Sequence, residues 1–192
     1  MEAATIYDLL AGLLEYPGDD YRERLARCAQ ALAAAQPDAA AVLEEFARGI
    51  ENLSTEQLQE LFTRTFDLDP VCSLEVGWHL FGENYERGEF LVKMRQQLRR
   101  FGLRESVELP DHLTHVLAVL GRMEPEEADE FANACAYPAL DKMRAGWQEK
   151  ANSFAKVLES AARLMEARHP RRTLANAPAG PVLPIWDERS LR

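Results

Sequence analysis

Residues 62–88 read FTRTFDLDPVCSLEVGWHLFGENYERG and carry the strongest structural signals of the chain. An apolar helical pattern ends in the acidic sequence Asp67-Leu68-Asp69-Pro70, because proline disfavours helical geometry in the residue before it. A second helical pattern follows, with His79, Glu83 and Arg87 spaced four residues apart. Residues at this spacing share one face of a helix, so the three side chains are predicted to form a row on a single helix.

Amphipathic helical patterns also fill the sequence on either side of this stretch. Ser54 followed by Gln57 has the spacing of a capping box at a helix start, and Gly102 suits a left-handed helix end. Pro110 is expected in the first turn of the next helix, and one long last helix is expected to carry apolar residues from Leu140 to Met165. β-branched residues never alternate over the length of a strand. The sequence therefore predicts an all-α, single-domain helical bundle.

The division of the chain follows from its composition. Hydrophobic residues make up 47% of the 192 residues, enough for one sizeable core. Residues 1–168 are predicted to form this domain, and the proline-rich residues 169–192 a flexible tail. Trp186 in the tail is either a spectator or a side chain that docks in the protein's own groove. No apolar run reaches the roughly 20 residues of a membrane span, and the acidic start MEAATIYDLL is unlike a signal peptide. A cytoplasmic location is expected.

The charge distribution indicates the kind of partner. The net charge is −10, and residues 1–69 hold 14 acidic side chains against 5 basic ones, a net charge of −9. Such a surface repels the phosphate backbone of nucleic acids, so nucleic-acid binding is not expected. A basic partner is its natural complement, since charge of opposite sign steers association.

Enzymatic motifs are not found in the sequence. Cys28, Cys72 and Cys135 are far apart, and no G-x-S-x-G elbow, Walker motif or G-x-G-x-x-G occurs. No catalytic residue, metal or cofactor is therefore predicted. One alternative stays open, a metal-dependent helical enzyme that uses two pairs of side chains at helical spacing. These pairs are His79 with Glu83, and His112 with His115.

Several short blocks resemble the NarJ-type assembly chaperones of respiratory molybdenum enzymes, a branch of the TorD/DmsD-like superfamily. The resemblance runs over most of residues 5–165. Its blocks are Tyr7-Asp8-Leu9-Leu10, Tyr16-Pro17, Arg64-Thr65-Phe66-Asp67, Ser73-Leu74, His79-Leu80-Phe81-Gly82-Glu83, Arg87-Gly88 and Glu108-Leu109-Pro110-Asp111 with Leu113. One departure is Glu75-Val76-Gly77-Trp78, where family members often carry a tyrosine-containing sequence.

The resemblance implies a chaperone that is not an enzyme. Such proteins bind the N-terminal, twin-arginine-like segment of an apo catalytic subunit and hold that subunit for molybdenum cofactor insertion. Nitrate reductase is the expected client, and selenate, chlorate, dimethyl sulfide or ethylbenzene enzymes are alternatives. A further alternative is an insertion factor that binds the molybdopterin cofactor or a guanine nucleotide directly.

Ten residues form the predicted client-binding set. Negative charge near a groove between helices is assigned to four acidic residues, namely Asp67, Asp69, Glu83 and Asp111. His79 is expected to orient Glu83 or to donate to a peptide carbonyl, and Arg87 to hold Glu83 in place. Gly82 and Gly88 would allow a partner backbone to approach closely. The set is completed by Pro110 and His112.

Overall fold

The computed structural model describes residues 3–68, 70–147 and 152–172. Helices account for nearly all of the regular structure in these ranges, so the predicted all-α fold class is confirmed. The α-helices are α1 (Ala3–Gly12), α2 (Tyr21–Ala35), α3 (Pro37–Gly49), α4 (Thr55–Phe66), α5 (Val76–Phe81), α6 (Tyr85–Arg100), α7 (Leu113–Leu120), α8 (Pro125–Phe131), α9 (Tyr137–Trp147) and α10 (Ala155–Arg168). A short 3₁₀ turn, Pro70–Cys72, precedes α5.

Local capping signals set several helix ends. The Ser54 hydroxyl accepts from the Gln57 backbone N–H, and the Gln57 side chain accepts from the Ser54 N–H, so the predicted capping box at the start of α4 is confirmed. Pro37 opens α3 in the first turn, where its missing N–H is not needed. Gly102 has a φ of 65° and follows the end of α6, so the predicted left-handed helix end is confirmed.

The predicted continuous helix through His79, Glu83 and Arg87 is wrong. Gly82 adopts a φ of 62° and ψ of −139°, which ends α5 after Phe81. A non-helical glycine of this kind redirects the chain, and α6 begins anew at Tyr85. His79 therefore lies on α5, Glu83 in the connecting loop and Arg87 in the first turn of α6.

Two other helix boundaries differ from the sequence-based expectation. Pro110 precedes α7 instead of opening it, because His112 is the N-cap residue and helix geometry starts at Leu113. The expected long last helix is divided into α9 and α10. The Asn152 side-chain carbonyl accepts from the Phe154 backbone N–H just before α10, a local turn that competes with helix continuation.

Buried apolar side chains from all ten α-helices of the described ranges form one core, which includes an aromatic cluster between α2, α3, α4 and α10. α3 packs against both α10 and α2, and α1 packs on α7. Five aromatic rings meet edge-on or tilted at the centre of this core, contributed by Tyr21, Phe46, Phe62, Phe66 and Phe154. Rings in such contacts stabilise a core beyond their burial alone. The same core includes Val76, Phe90 and Leu113, which anchor the helix ends around residue 111.

Residues 169–172, which follow α10, pack against a π-helical turn, Ala132–Ala136, between α8 and α9. Asn133 in this turn donates to the Pro170 carbonyl and accepts from the Arg172 N–H. The His169 imidazole is buried and pairs with Asp129 at 2.8 Å. Residues 169–172 are thus part of the packed body, whereas the rest of the predicted tail, including Trp186, lies outside the described residues. The division into a domain and a tail stays a prediction.

Candidate functional site

A buried ion pair joins the start of α6 to the segment before α7. The Arg87 Nε donates to Asp111 Oδ2 at 3.0 Å, and the Asp111 side chain is fully buried. Burial raises the pKa of Asp111 above its ordinary value, and the hydrogen bond and charge of Arg87 oppose this rise. The Arg87 guanidinium also lies 5.9 Å from the centre of the Trp78 ring, within cation–π distance. Arg87 is therefore held by Asp111. The sequence had suggested Glu83 as its partner, and this expectation was wrong.

Backbone contacts fix Asp111 and its neighbours between α5 and α7. The Val76 N–H donates to the Asp111 carbonyl at 2.9 Å, and the Leu113 N–H donates to the Leu74 carbonyl at 2.8 Å. These two bonds form an antiparallel bridge between Glu75 and His112. The bridge satisfies backbone groups at both helix starts and sets their relative position.

Gly77 allows this junction to close. A Cβ built on Gly77 would lie 2.5 Å from Asp111 Oδ2 and 3.0 Å from the Phe90 ring, too close for a side chain. By contrast, a Cβ at Gly82 or Gly88 has no described heavy atom within 4 Å. The close approach seen in the structure is thus at Gly77, which the sequence-based set missed. The approach of a partner backbone at the other two glycines stays a prediction.

The two histidines at the start of α7 have structural hydrogen bonds. The backbone N–H of Thr114 and its hydroxyl both donate to Nδ1 of His112, so this nitrogen is unprotonated. Burial lowers the pKa of His112 to about 4. The Ser106 N–H donates to Nε2 of His115, and its Nδ1 therefore carries the proton and donates to the Leu109 carbonyl. His115 thus holds the loop that leads to Asp111.

His79 lines a surface cleft at the end of α5. This cleft has a volume of about 450 Å³ and is lined by Val71, Trp78, His79, Leu80, Gly82 and Lys142. The His79 Nε2 donates to the Ser73 carbonyl at 2.8 Å, and the Lys142 ammonium donates to the His79 carbonyl. Burial lowers the pKa of His79 below its ordinary value. The ring therefore orients the 3₁₀ segment before α5 and does not reach Glu83, which is exposed on the following loop.

Three carboxylates beside the cleft form what we call the acidic surface, namely Asp67, Glu75 and Glu108. Partial burial raises the pKa of Glu108, and the neighbouring charges of Glu75 and then Asp67 raise it further. The exposed side chains of Leu68 and Leu109 follow Asp67 and Glu108 in the chain. The charge of Glu75 also acts on His79, so the acidic surface and the cleft adjoin each other.

The structure separates the predicted client-binding set into three environments. Arg87, Asp111 and His112 belong to the buried junction, and Pro110 leads into it. His79 and Gly82 line the cleft. Asp67, Glu83 and Gly88 are exposed, and Asp69 lies outside the described residues. A role of these residues in client binding stays a prediction.

The sequence-based set missed five residues of the site, namely Glu75, Gly77, Trp78, Glu108 and Lys142. Glu108 stands beside Leu109-Pro110-Asp111 in the sequence, and that proximity could have marked it. No local signal marks Lys142, because α9 reaches the cleft only through the tertiary fold.

A metal site is not formed by the side chains that the structure describes. Among them, no three His, Cys, Asp or Glu residues lie close enough to hold one ion. The rings of His112 and His115 are 6.5 Å apart, and their nitrogens are directed to Thr114, Ser106 and Leu109. Over the described ranges, each helix is also too short or too polar to cross a membrane.

Comparisons with known proteins agree with the resemblance of the sequence blocks. Residues 5–160 match the family described as nitrate reductase delta subunit. The chain therefore belongs to that family, and the resemblance seen in the sequence is confirmed.

Two curated relatives share 28% identity with the chain over 155 residues. They are the nitrate reductase molybdenum cofactor assembly chaperones NarJ of Escherichia coli strain K12 and of Escherichia coli O157:H7. The alignment covers 79% of this chain but only 65% of each relative. The chain thus spans less than two thirds of the length of these relatives.

Proposed function

We propose that this protein is a cytoplasmic assembly chaperone that takes part in the maturation of a molybdenum-containing nitrate reductase and catalyses no reaction. The observation that carries the proposal is its membership of the nitrate reductase delta subunit family over residues 5–160. The function for which the curated relatives are named, molybdenum cofactor assembly for nitrate reductase, gives the client class. In this proposal the cofactor belongs to the client, and the chaperone itself carries none.

The chaperone binds the N-terminal segment of the apo catalytic subunit in the region of the acidic surface and the adjoining cleft. A twin-arginine-like segment combines basic side chains with an apolar helix. The carboxylates of Asp67, Glu75 and Glu108 complement the basic side chains, while Leu80 and Leu109 contact the apolar face. This arrangement is the helix-in-groove mode of peptide recognition. The net charge of −10 steers the basic segment towards the protein.

The buried junction has an indirect part in this binding. Asp111 is inaccessible to a partner, but it holds Arg87 against Trp78, and Trp78 lines the cleft. The bridge between Glu75 and His112 fixes the backbone of one acidic residue. Asp111, Arg87 and His112 are therefore positioning residues for the binding surface.

Calorimetric titration with an N-terminal peptide of a nitrate reductase catalytic subunit tests the proposal. The unmodified protein is expected to bind the peptide, with an affinity that falls as salt screens the opposite charges. The double variant Glu75→Gln/Glu108→Gln removes two charges from an exposed surface and should weaken binding about tenfold.

A matched control is the double variant Glu44→Gln/Glu130→Gln, which removes two charges from exposed positions on α3 and α8. This control should bind as the unmodified protein does. If the two double variants lose affinity equally, net charge alone is responsible and the acidic surface is not the binding site. If the unmodified protein does not bind the peptide, the proposed client segment is wrong.

A further inference from the structure

A second cleft lies on another part of the molecule, between α3, α9 and α10. It has a volume of about 350 Å³ and is lined by the charged side chains of Glu45, Arg144, Lys156, Glu159 and Arg163. We call it the cationic cleft. None of these residues belongs to the acidic surface or to the cleft beside His79, so the inference does not depend on the proposed client binding.

Positive charge is in excess around the cationic cleft. Three cations and two carboxylates line it, and the charge of Arg48 also acts on Glu45. Among the described residues, the lining together with Arg48 thus provides four cations and two carboxylates. This excess stands out in a chain whose net charge is −10. An excess of positive charge in a concave surface attracts anionic ligands.

Within the described residues, the ion pairs of the cleft leave hydrogen-bond donors of its arginines unused. Glu159 forms ion pairs with two arginines. It accepts from Arg144 Nη2 at 2.6 Å and from Arg163 Nε at 3.0 Å. Each guanidinium carries five N–H donors, and each of these contacts engages one nitrogen. The three cations that line the cleft are each more than a third exposed. Their remaining donors are therefore accessible to an anion that enters the cleft.

We propose that the cationic cleft binds the phosphate group of a small phosphorylated molecule. Two guanidinium groups and an ammonium group that converge on one cavity suit a phosphate, because arginine forks match phosphate oxygens in pairs. The cavity volume is at the lower end of small-molecule sites, larger than one phosphate requires. Val42 and Ala155 supply an apolar wall for the organic part of the ligand.

Titration of the full chain with inorganic phosphate, at constant ionic strength set with chloride, tests the site. Backbone amide signals of residues 155–163 are expected to shift in a saturable manner, with a Kd on the order of 1 mM. The double variant Arg144→Gln/Arg163→Gln should weaken binding about tenfold. The control Arg99→Gln/Arg104→Gln, with the same charge change at exposed positions elsewhere, should bind phosphate as before.

A gain of affinity is a second, independent readout. Glu159→Gln removes the carboxylate that competes with phosphate for both arginines, and it should tighten binding about fivefold. Glu166→Gln makes the same charge change on the same helix, outside the cleft, and should have little effect. The comparison of these two glutamate variants tests the site even if the double arginine variant does not fold.

Ribose 5-phosphate, used as a further probe, distinguishes the source of the phosphate. Tighter binding than that of inorganic phosphate indicates an organic phosphate that contacts Val42, and equal binding indicates free phosphate; either result supports the site. Shifts that grow linearly with phosphate would overturn the proposal. So would equal effects of the two double variants or of the two glutamate variants.

Discussion

The junction around Asp111 and the acidic surface lie side by side, yet their carboxylates have opposite surroundings. Asp111 is fully buried, and its Oδ2 receives a hydrogen bond from Arg87 at 3.0 Å. Glu108 and Glu75 remain in reach of solvent, and the charge of Glu75 raises the pKa of Glu108. The Asp111 carboxylate holds two helix ends together, whereas the charges of Glu75 and Glu108 remain available to a partner. Burial and the nearest cation therefore decide what a carboxylate does, and sequence position alone does not.

Replacement of Arg87 by leucine gives the largest expected effect. Arg87→Leu leaves the Asp111 carboxylate buried without its cation, and the free energy of unfolding should fall by about 3–5 kcal/mol at neutral pH. Chemical denaturation measures this loss. Glu83→Ala, on the exposed loop, should change stability by less than about 0.5 kcal/mol.

A double-mutant cycle sharpens this prediction. Asp111→Asn combined with Arg87→Leu should be more stable than the sum of the single changes implies, since the uncompensated charge is removed. A second cycle measures the coupling between Arg87 and Glu83. Strong coupling in that cycle would contradict the pairing in the structure and favour the helical row predicted from the sequence.

The dependence of stability on pH gives an intermediate effect through His112. Its pKa is about 4 in the folded protein against an ordinary value of 6.5. Between these pH values the unfolded chain binds a proton that the folded protein does not. The free energy of unfolding should therefore decrease as the pH falls from 6.5 to 4, by about 3 kcal/mol from this group.

The variant His112→Asn isolates this contribution. Asparagine keeps an N-cap acceptor for the Thr114 N–H but does not titrate. Denaturation curves at a series of pH values should show a smaller acid-induced loss in the variant than in the unmodified protein. Identical pH profiles would mean that the imidazole is not held neutral in the fold.

Neutralisation of the acidic surface gives the smallest effect on stability. Glu75→Gln/Glu108→Gln removes repulsion between exposed like charges, so the free energy of unfolding should rise by no more than about 0.5 kcal/mol, and less at high salt. Chemical denaturation at two salt concentrations measures the change. A loss of several kcal/mol would place these carboxylates with Asp111 among the residues that hold the fold.

The sequence predicts well those features that depend on residues within one helical turn. The capping box of Ser54 and Gln57 and the left-handed Gly102 are of this kind, and the structure confirms both. The break at Gly82 was missed because glycine is tolerated inside helical patterns, so the residue alone does not mark a helix end.

The candidate site depends on contacts between distant parts of the chain. Arg87 and Asp111 are 24 residues apart, and Glu75 and His112 meet only through the bridge between the starts of α5 and α7. A helical period relates residues three or four positions apart, which is why Arg87 was matched with Glu83. Burial of Asp111 is likewise a tertiary property, because aspartate is seldom fully buried and its sequence neighbours give no sign of Arg87.

The π-helical turn at Asn133 bears on how the protein can be shortened. The Asn133 side-chain N–H donates to the Pro170 carbonyl, and its side-chain oxygen accepts from the Arg172 backbone N–H. The Tyr137 hydroxyl donates to the His169 carbonyl, and Arg171 pairs with Asp141. A version that stops at residue 168 would expose the Tyr137 and Asp129 side chains at once. Truncations for crystallisation or for fusion to another domain should therefore retain the chain through Arg172.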